Sequence, residues 1–127
     1  MSDDFEPLDA GPYLDHLGPL LRRDSDGVIG LRIERRHLNA AGKAHGGLLA
    51  SIADHAIGRA VNEALEDAGA VTVSLTTDYL GGVDEGDFIE ARTEVDRLGG
   101  SLAFADCAIS VDGHDRVRAR AVFAVLG

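Results

Sequence analysis

The chain has 127 residues, 45% of them hydrophobic and 27% charged, with 22 acidic against 12 basic residues and a net charge of −10. That length and apolar share suit one domain, 1–127, with a sizeable core. The charge excludes nucleic acid and anionic membrane as expected partners, because either needs an excess of basic side chains on one face. No apolar run approaches the roughly 18 residues of a membrane span. Met1 to Pro12 is acidic and lacks the basic start and apolar middle of a signal peptide, so the expected location is cytoplasmic. The single Cys107 has no intrachain partner, agrees with a reducing compartment, and falls in a strand pattern as a core residue. Lys43 is the only lysine; an acidic, lysine-poor surface fits a salt-adapted, halophilic host, and a GC-rich genome gives the same bias.

In chain order, residues 1–26 read as an N-terminal helical extension. Within it Asp9 to Arg23 carries Leu14, Leu17, Leu20 and Leu21 in a short helix broken near Gly18-Pro19. Val28 to His37 alternates Ile29, Leu31 and Ile33 with Arg32, Glu34 and Arg36, the pattern of a half-buried strand. Asn39 to Gly47 is a loop by composition. From Gly46 to Ala68, Leu49, Ile52, Ala53, Ala56, Ile57, Ala60, Val61, Ala64 and Leu65 recur at three- and four-residue spacing, which predicts a long core helix. Ser51, His55, Arg59, Asn62, Glu63 and Glu66 fall on its polar face, with His55 solvated. Strands follow at Ala70–Leu80, Phe88–Leu98, Ser101–Val111 and Arg116–Leu126, with hairpin signals at Gly99-Gly100 and Asp112-Gly113. Five antiparallel strands and one long buried helix make an α+β fold.

Two features carry chemistry. Asp54 projects at the border of the apolar stripe, where a cleft would open, and it reads either as a functional carboxylate or as a flank residue paired with Arg59. Gly46 and Gly47 stand where backbone N–H groups lack intrahelical acceptors; they read either as a seat for an anion or polarised carbonyl or as a turn for tight packing. Gly46 and Asp54 are eight residues apart, about 12 Å along one helix, so one chain does not present both to a single carbonyl. Two copies antiparallel about a two-fold axis would, which makes the expected unit a homodimer at least, with a homotetramer beyond it.

Asn39, then His45-Gly46-Gly47, then Ala53-Asp54 resembles the signature of the hot-dog fold acyl-CoA thioesterases of the PaaI type, and the likeness runs from about Ile29 to the C-terminus. The resemblance implies an antiparallel sheet wrapped around the central helix. It also implies a catalytic carboxylate at Asp54, a carbonyl-polarising N–H at Gly46, an assisting Asn39 and a neighbouring hydroxyl at Thr72, with Ser74 two residues along on the same face. His45 would shape the loop. The acyl-CoA substrate itself brings coenzyme A, so no separate cofactor is expected. For its phosphates, Arg97 beside Gly99-Gly100-Ser101 reads as a contact or as an ordinary turn; Tyr79-Leu80-Gly81-Gly82 reads as a run alongside the pantetheine or, equally, as a turn, and Gly47 is a further substrate-binding position. Gly82 departs from the family, which often has Pro there. His16, His37 and His114 have no metal-ligand spacing, so no metal is expected. A hot-dog enoyl-CoA hydratase and a non-catalytic acyl-CoA binding protein are the competing readings.

Overall fold

The computed structural model describes residues 4–66 and 69–126. Its elements are β1 (Phe5–Pro7), α1 (Pro12–Leu17), β2 (Leu21–Arg23), β3 (Ile29–Arg32), a 3₁₀ turn (Arg35–His37), α2 (Gly46–Leu65), β4 (Gly69–Tyr79), β5 (Phe88–Leu98), β6 (Leu102–Val111) and β7 (His114–Leu126). All strands join one antiparallel sheet in the order β1-β2-β3-β5-β6-β7-β4, so β1 and β4 are its edges. The sheet has seven strands where the sequence predicts five. The two extra ones are three-residue strands inside the segment predicted as helical, and α1 between them covers only six residues. The predicted Val28–His37 strand also ends early, at Arg32, and its remainder turns into the 3₁₀ segment.

The helix lies deep against the sheet because the sheet's inner face is lined with small side chains. Ala103, Ala105 and Cys107 of β6, with Ala119 and Ala121 of β7, are buried opposite Ile52, Ala53, Ala56, Ile57 and Val61 of α2. Small residues on the strands and branched ones on the helix fill the interface at short distance and let the strands curl round it. This is the hot-dog arrangement. The apolar stripe fades in the last turn of α2, where Ala64 is exposed, and the predicted extension through Ala68 lies partly outside the described residues.

Close approach also ties down the short strands. Phe5 and Phe88 meet edge to face with centroids 5.1 Å apart, directly over Gly30, where an added Cβ would come within 2.5 Å of the Phe88 ring. Arg23 stacks on Phe5 at 4.9 Å. Side-chain anchoring of this kind replaces hydrophobic alternation, which three residues are too few to display.

Strand β4 carries the site-facing hydroxyl. It pairs with β7, with Thr72 opposite Phe123 and Ser74 opposite Val122, and the register shift between them marks a bulge at Val73. Phe123 points into the core whereas Val122 points out. The bulge therefore turns Thr72 toward the helix and Ser74 to the outer face, against the expectation that the two share a face.

Candidate functional site

One half of the site is the start of α2. His45 is the N-cap, and its Nδ1 accepts the Gly47 N–H at 2.8 Å. The ring is therefore protonated on Nε2, and the Gly47 N–H is engaged within the chain. Gly46, the first helical residue, has no intrahelical acceptor for its N–H, and no other acceptor for it occurs among the described residues. Among the described residues the N–H groups of Gly46 and Leu48 are thus left free at the helix terminus, whereas that of Gly47 is not, and of the two only Gly46 lines the groove described below.

Tyr79 supports that terminus. Its hydroxyl donates to the Gly46 carbonyl at 2.7 Å, and its ring lies so close that a Cβ on residue 46 would stand 3.3 Å from it. Asn39 orders the preceding loop through Oδ1, which accepts the N–H groups of Ala41 at 2.9 Å and Lys43 at 3.2 Å. With the oxygen so engaged, the side chain's NH₂ group is the part left to donate. Asn39, His45, Gly46, Gly47, Tyr79, Leu80 and Gly81 all line one open groove of about 510 Å³. Gly81 contributes only a wall, because its N–H donates to the Arg116 carbonyl at 3.2 Å.

The other half lies at mid-helix. Thr72 Oγ1 donates to Asp54 Oδ1 at 2.7 Å, joining the two residues that the sequence pairs. Asp54 forms no ion pair among the described residues; Arg59 pairs instead with Glu63, at 4.0 Å, and Glu63 with Arg22, at 3.3 Å. A hydroxyl donor to a carboxylate contributes on the order of 1.5–3 kcal/mol, enough to hold a rotamer. It is less than the several kcal/mol that full desolvation of a carboxylate costs, so Asp54 keeps a solvent-facing side.

The two halves are apart within one chain. Asp54 and Thr72 do not line the groove at Gly46, and β4 runs seven residues from Thr72 to Tyr79, on the order of 20 Å. The tip of the β5–β6 hairpin belongs to the Asp54 end: Ala103 pairs with Phe123, which pairs with Thr72. Arg97, Gly100 and Ser101 are exposed there, with open space over Gly100. The structure so gathers the candidate residues into two groups rather than one.

Two features escape the sequence pattern. Lys43 reaches over the groove to Asp84, with Nζ to Oδ1 at 2.5 Å. His55 is half-buried rather than solvated: its Nε2 is enclosed without a hydrogen-bond partner, and burial, with Arg59 second, holds its imidazole below the ordinary range while Asp54 opposes them. Cys107 is core, its thiol pushed up to about 11 by burial.

The fold is shared with known proteins. The family described as the thioesterase superfamily matches residues 41–118, the stretch from the loop before α2 into β7. The chain is 42% identical over 110 residues to "Putative esterase PA0474" of Pseudomonas aeruginosa, covering 83% of this chain and 82% of that protein. The Escherichia coli PaaI protein from the phenylacetic acid degradation operon superposes with a TM-score of 0.74 at 26% identity, over 80% of this chain and 72% of that one. The BH2602 protein of Bacillus halodurans, solved with CoA, superposes with a TM-score of 0.83 at 25% identity, over 91% of this chain and 77% of that one.

Proposed function

Given that the chain belongs to the thioesterase superfamily and is of the hot-dog, PaaI type, we propose that it hydrolyses acyl-CoA thioesters to the free acid and CoA. The observation that carries this reading is the free Gly46 N–H at the start of α2, set in a groove and braced by Tyr79 and the His45 cap. A backbone amide at a helix terminus favours the negative charge that develops on a thioester oxygen as the carbonyl is attacked. Thiolate is a good leaving group, so positioning and oxyanion stabilisation supply most of what the reaction needs. Asp54, held by Thr72, acts on the acyl carbon as general base on water or as nucleophile. Asn39 orients the water or the carbonyl with its NH₂ group.

The separation of Gly46 from Asp54 makes the working unit two copies. β4 is a free sheet edge with Val71 and Val73 exposed at 49% and 61%. A second β4 laid antiparallel on it across a two-fold axis brings Gly46 of one copy to Asp54 of the other. The same operation sets the Arg97–Ser101 turn beside the partner's groove, where its donors would meet CoA phosphates.

The hydratase alternative needs a histidine working beside the carboxylate as acid and base. His45 Nδ1 is spent on the Gly47 amide, which leaves that ring a donor and not a base, and His55 Nε2 is enclosed, so neither ring is set up to pass a proton in both directions beside Asp54. The test is to incubate the purified protein with acetyl-, benzoyl- and crotonyl-CoA and follow free thiol and enoyl absorbance. Thiol release without hydration is the expected result. Tight CoA-ester binding with no release supports a binding protein instead, and hydration without release supports a hydratase.

A further inference from the structure

On the opposite flank of the His45–Gly47 turn lies a second, smaller cavity of about 280 Å³, which shares His45 and Gly47 with the groove. Resting on the thioesterase reading, we propose that this cavity holds the acyl group of the substrate, and that the group is a compact, uncharged, apolar one: a single ring or a short aliphatic chain. Continuity is the first argument. A thioester whose carbonyl sits at the Gly46 amide has its thiol side in one cavity and its acyl side in the other, because the helix start stands between the two.

The second argument is the cavity's lining. Leu17, Leu38, Leu48 and the Tyr13 ring give it an apolar wall; of the polar side chains beside them, His45 caps α2 through Nδ1, and Arg36 and His37 are engaged by the chain itself. Arg36 donates to the carbonyls of His16 and Gly18 and to Glu34 Oε1. His37 accepts the Glu34 N–H on Nδ1 at 2.9 Å and donates from Nε2 to the Leu17 carbonyl at 2.6 Å. No cation is left for a carboxylate or phosphate, so a charged acyl group would be desolvated there without a partner.

The third argument is that the wall is built, not incidental. Arg36 and His37 together hold the carbonyls of His16, Leu17 and Gly18, fastening the end of α1 to the 3₁₀ turn. Tyr13 meets Ser51 Oγ at 3.5 Å, and Ser51 donates to the Gly47 carbonyl at 2.9 Å, tying the outer wall to the helix start. Size sets the upper limit: the volume is at the lower edge of the roughly 300–1,000 Å³ of pockets for drug-sized ligands, too small for a long fatty chain.

The test compares kcat/KM for acetyl-, benzoyl-, hexanoyl- and palmitoyl-CoA, read by thiol release, in the wild type and in Leu17→Trp, Leu38→Trp and Tyr13→Ala. The wild type should prefer benzoyl- or hexanoyl-CoA to palmitoyl-CoA. A tryptophan that fills the cavity should lower the benzoyl-to-acetyl ratio by about 10–200-fold, the range for a mismatched apolar pocket. Tyr13 is 65% exposed, so Tyr13→Ala keeps the test readable should a tryptophan variant fail to fold, and it should lower the same ratio several-fold. A preference for palmitoyl-CoA, or ratios within twofold of wild type in every folded variant, overturns the assignment while leaving hydrolysis standing. No release from any ester by the folded wild type overturns the hydrolase reading, and the acyl assignment with it.

Discussion

The two ends of the functional stretch of α2 are furnished differently. At Gly46 the chain supplies everything itself: a cap from His45, a brace from Tyr79, an ordered loop from Asn39 and two adjoining cavities. At Asp54 it supplies one hydroxyl from Thr72 and otherwise leaves the carboxylate facing outward beside a free sheet edge. The contrast teaches that the amide end is preorganised within the chain, while the carboxylate end is left open on the side where the proposed second copy would lie.

Removing the carboxylate should have the largest effect. Asp54→Asn keeps the Thr72 contact and the shape of the helix, and kcat should fall by about 10²–10⁴, the usual contribution of a general base or nucleophile. Turnover at the wild-type rate would detach Asp54 from the chemistry.

The amide end should break by somewhat less. Gly46 is the first helical residue and follows an N-cap with φ −64° and ψ 131°, a backbone that accepts proline next in sequence. Gly46→Pro deletes the N–H and should lower kcat by about 10²–10³. Gly46→Ala keeps the N–H but brings a methyl against the Tyr79 ring at 3.3 Å. If alanine costs as much as proline, crowding rather than the amide explains the loss.

Mixing the two dead chains sharpens the comparison between ends. Asp54→Asn still carries a sound Gly46, and Gly46→Pro a sound Asp54. Co-refolded in equal amounts, about half the dimers are mixed and each holds one complete site, so roughly a quarter of wild-type activity should return. If subunit exchange is proved by mass and no activity returns, each Asp54 works with donors of its own chain.

The smallest effect concerns the flank of α2 away from Thr72. The His55 imidazole is held below the ordinary imidazole range by burial and by Arg59. As pH falls through about 6.5, the unfolded chain takes up a proton that the folded chain resists, so the folded state should lose stability below that pH and keep it above. His55→Gln should flatten this part of the melting-temperature profile between about pH 8 and pH 5. An unchanged slope would assign the acid sensitivity to other groups.

Long periodic elements were legible in the sequence because each repeats its pattern many times. The stripe of α2 and the alternation in β5 to β7 needed nothing beyond residue spacing. β1 and β2 were not, since three residues carry no period and they are held by Phe5 on Phe88 and Arg23 on Phe5. The bulge that parts Thr72 from Ser74 was invisible for another reason: one inserted residue leaves the local composition unchanged and flips every side chain after it. At the candidate site, Asp54 beside Thr72 and the glycine helix start were readable from spacing. That His45 occupies the Gly47 amide, leaving Gly46 as donor, is a matter of a side-chain rotamer, and the clamp of Arg36 and His37 on α1 joins residues with no local signal between them.

Lys43 closes the list of features at the groove, and it is the one lysine in the chain. Thioesters acylate primary amines without any enzyme, and arginine is inert to them under the same conditions. Under the proposed activity the chain therefore offers, among its side chains, a single primary amine to accidental acylation, on the rim of its own groove and clasped by Asp84. Damage of that kind would register as one mass increment at one residue, and the same amine is a ready attachment point for a reporter that senses whether the groove is full.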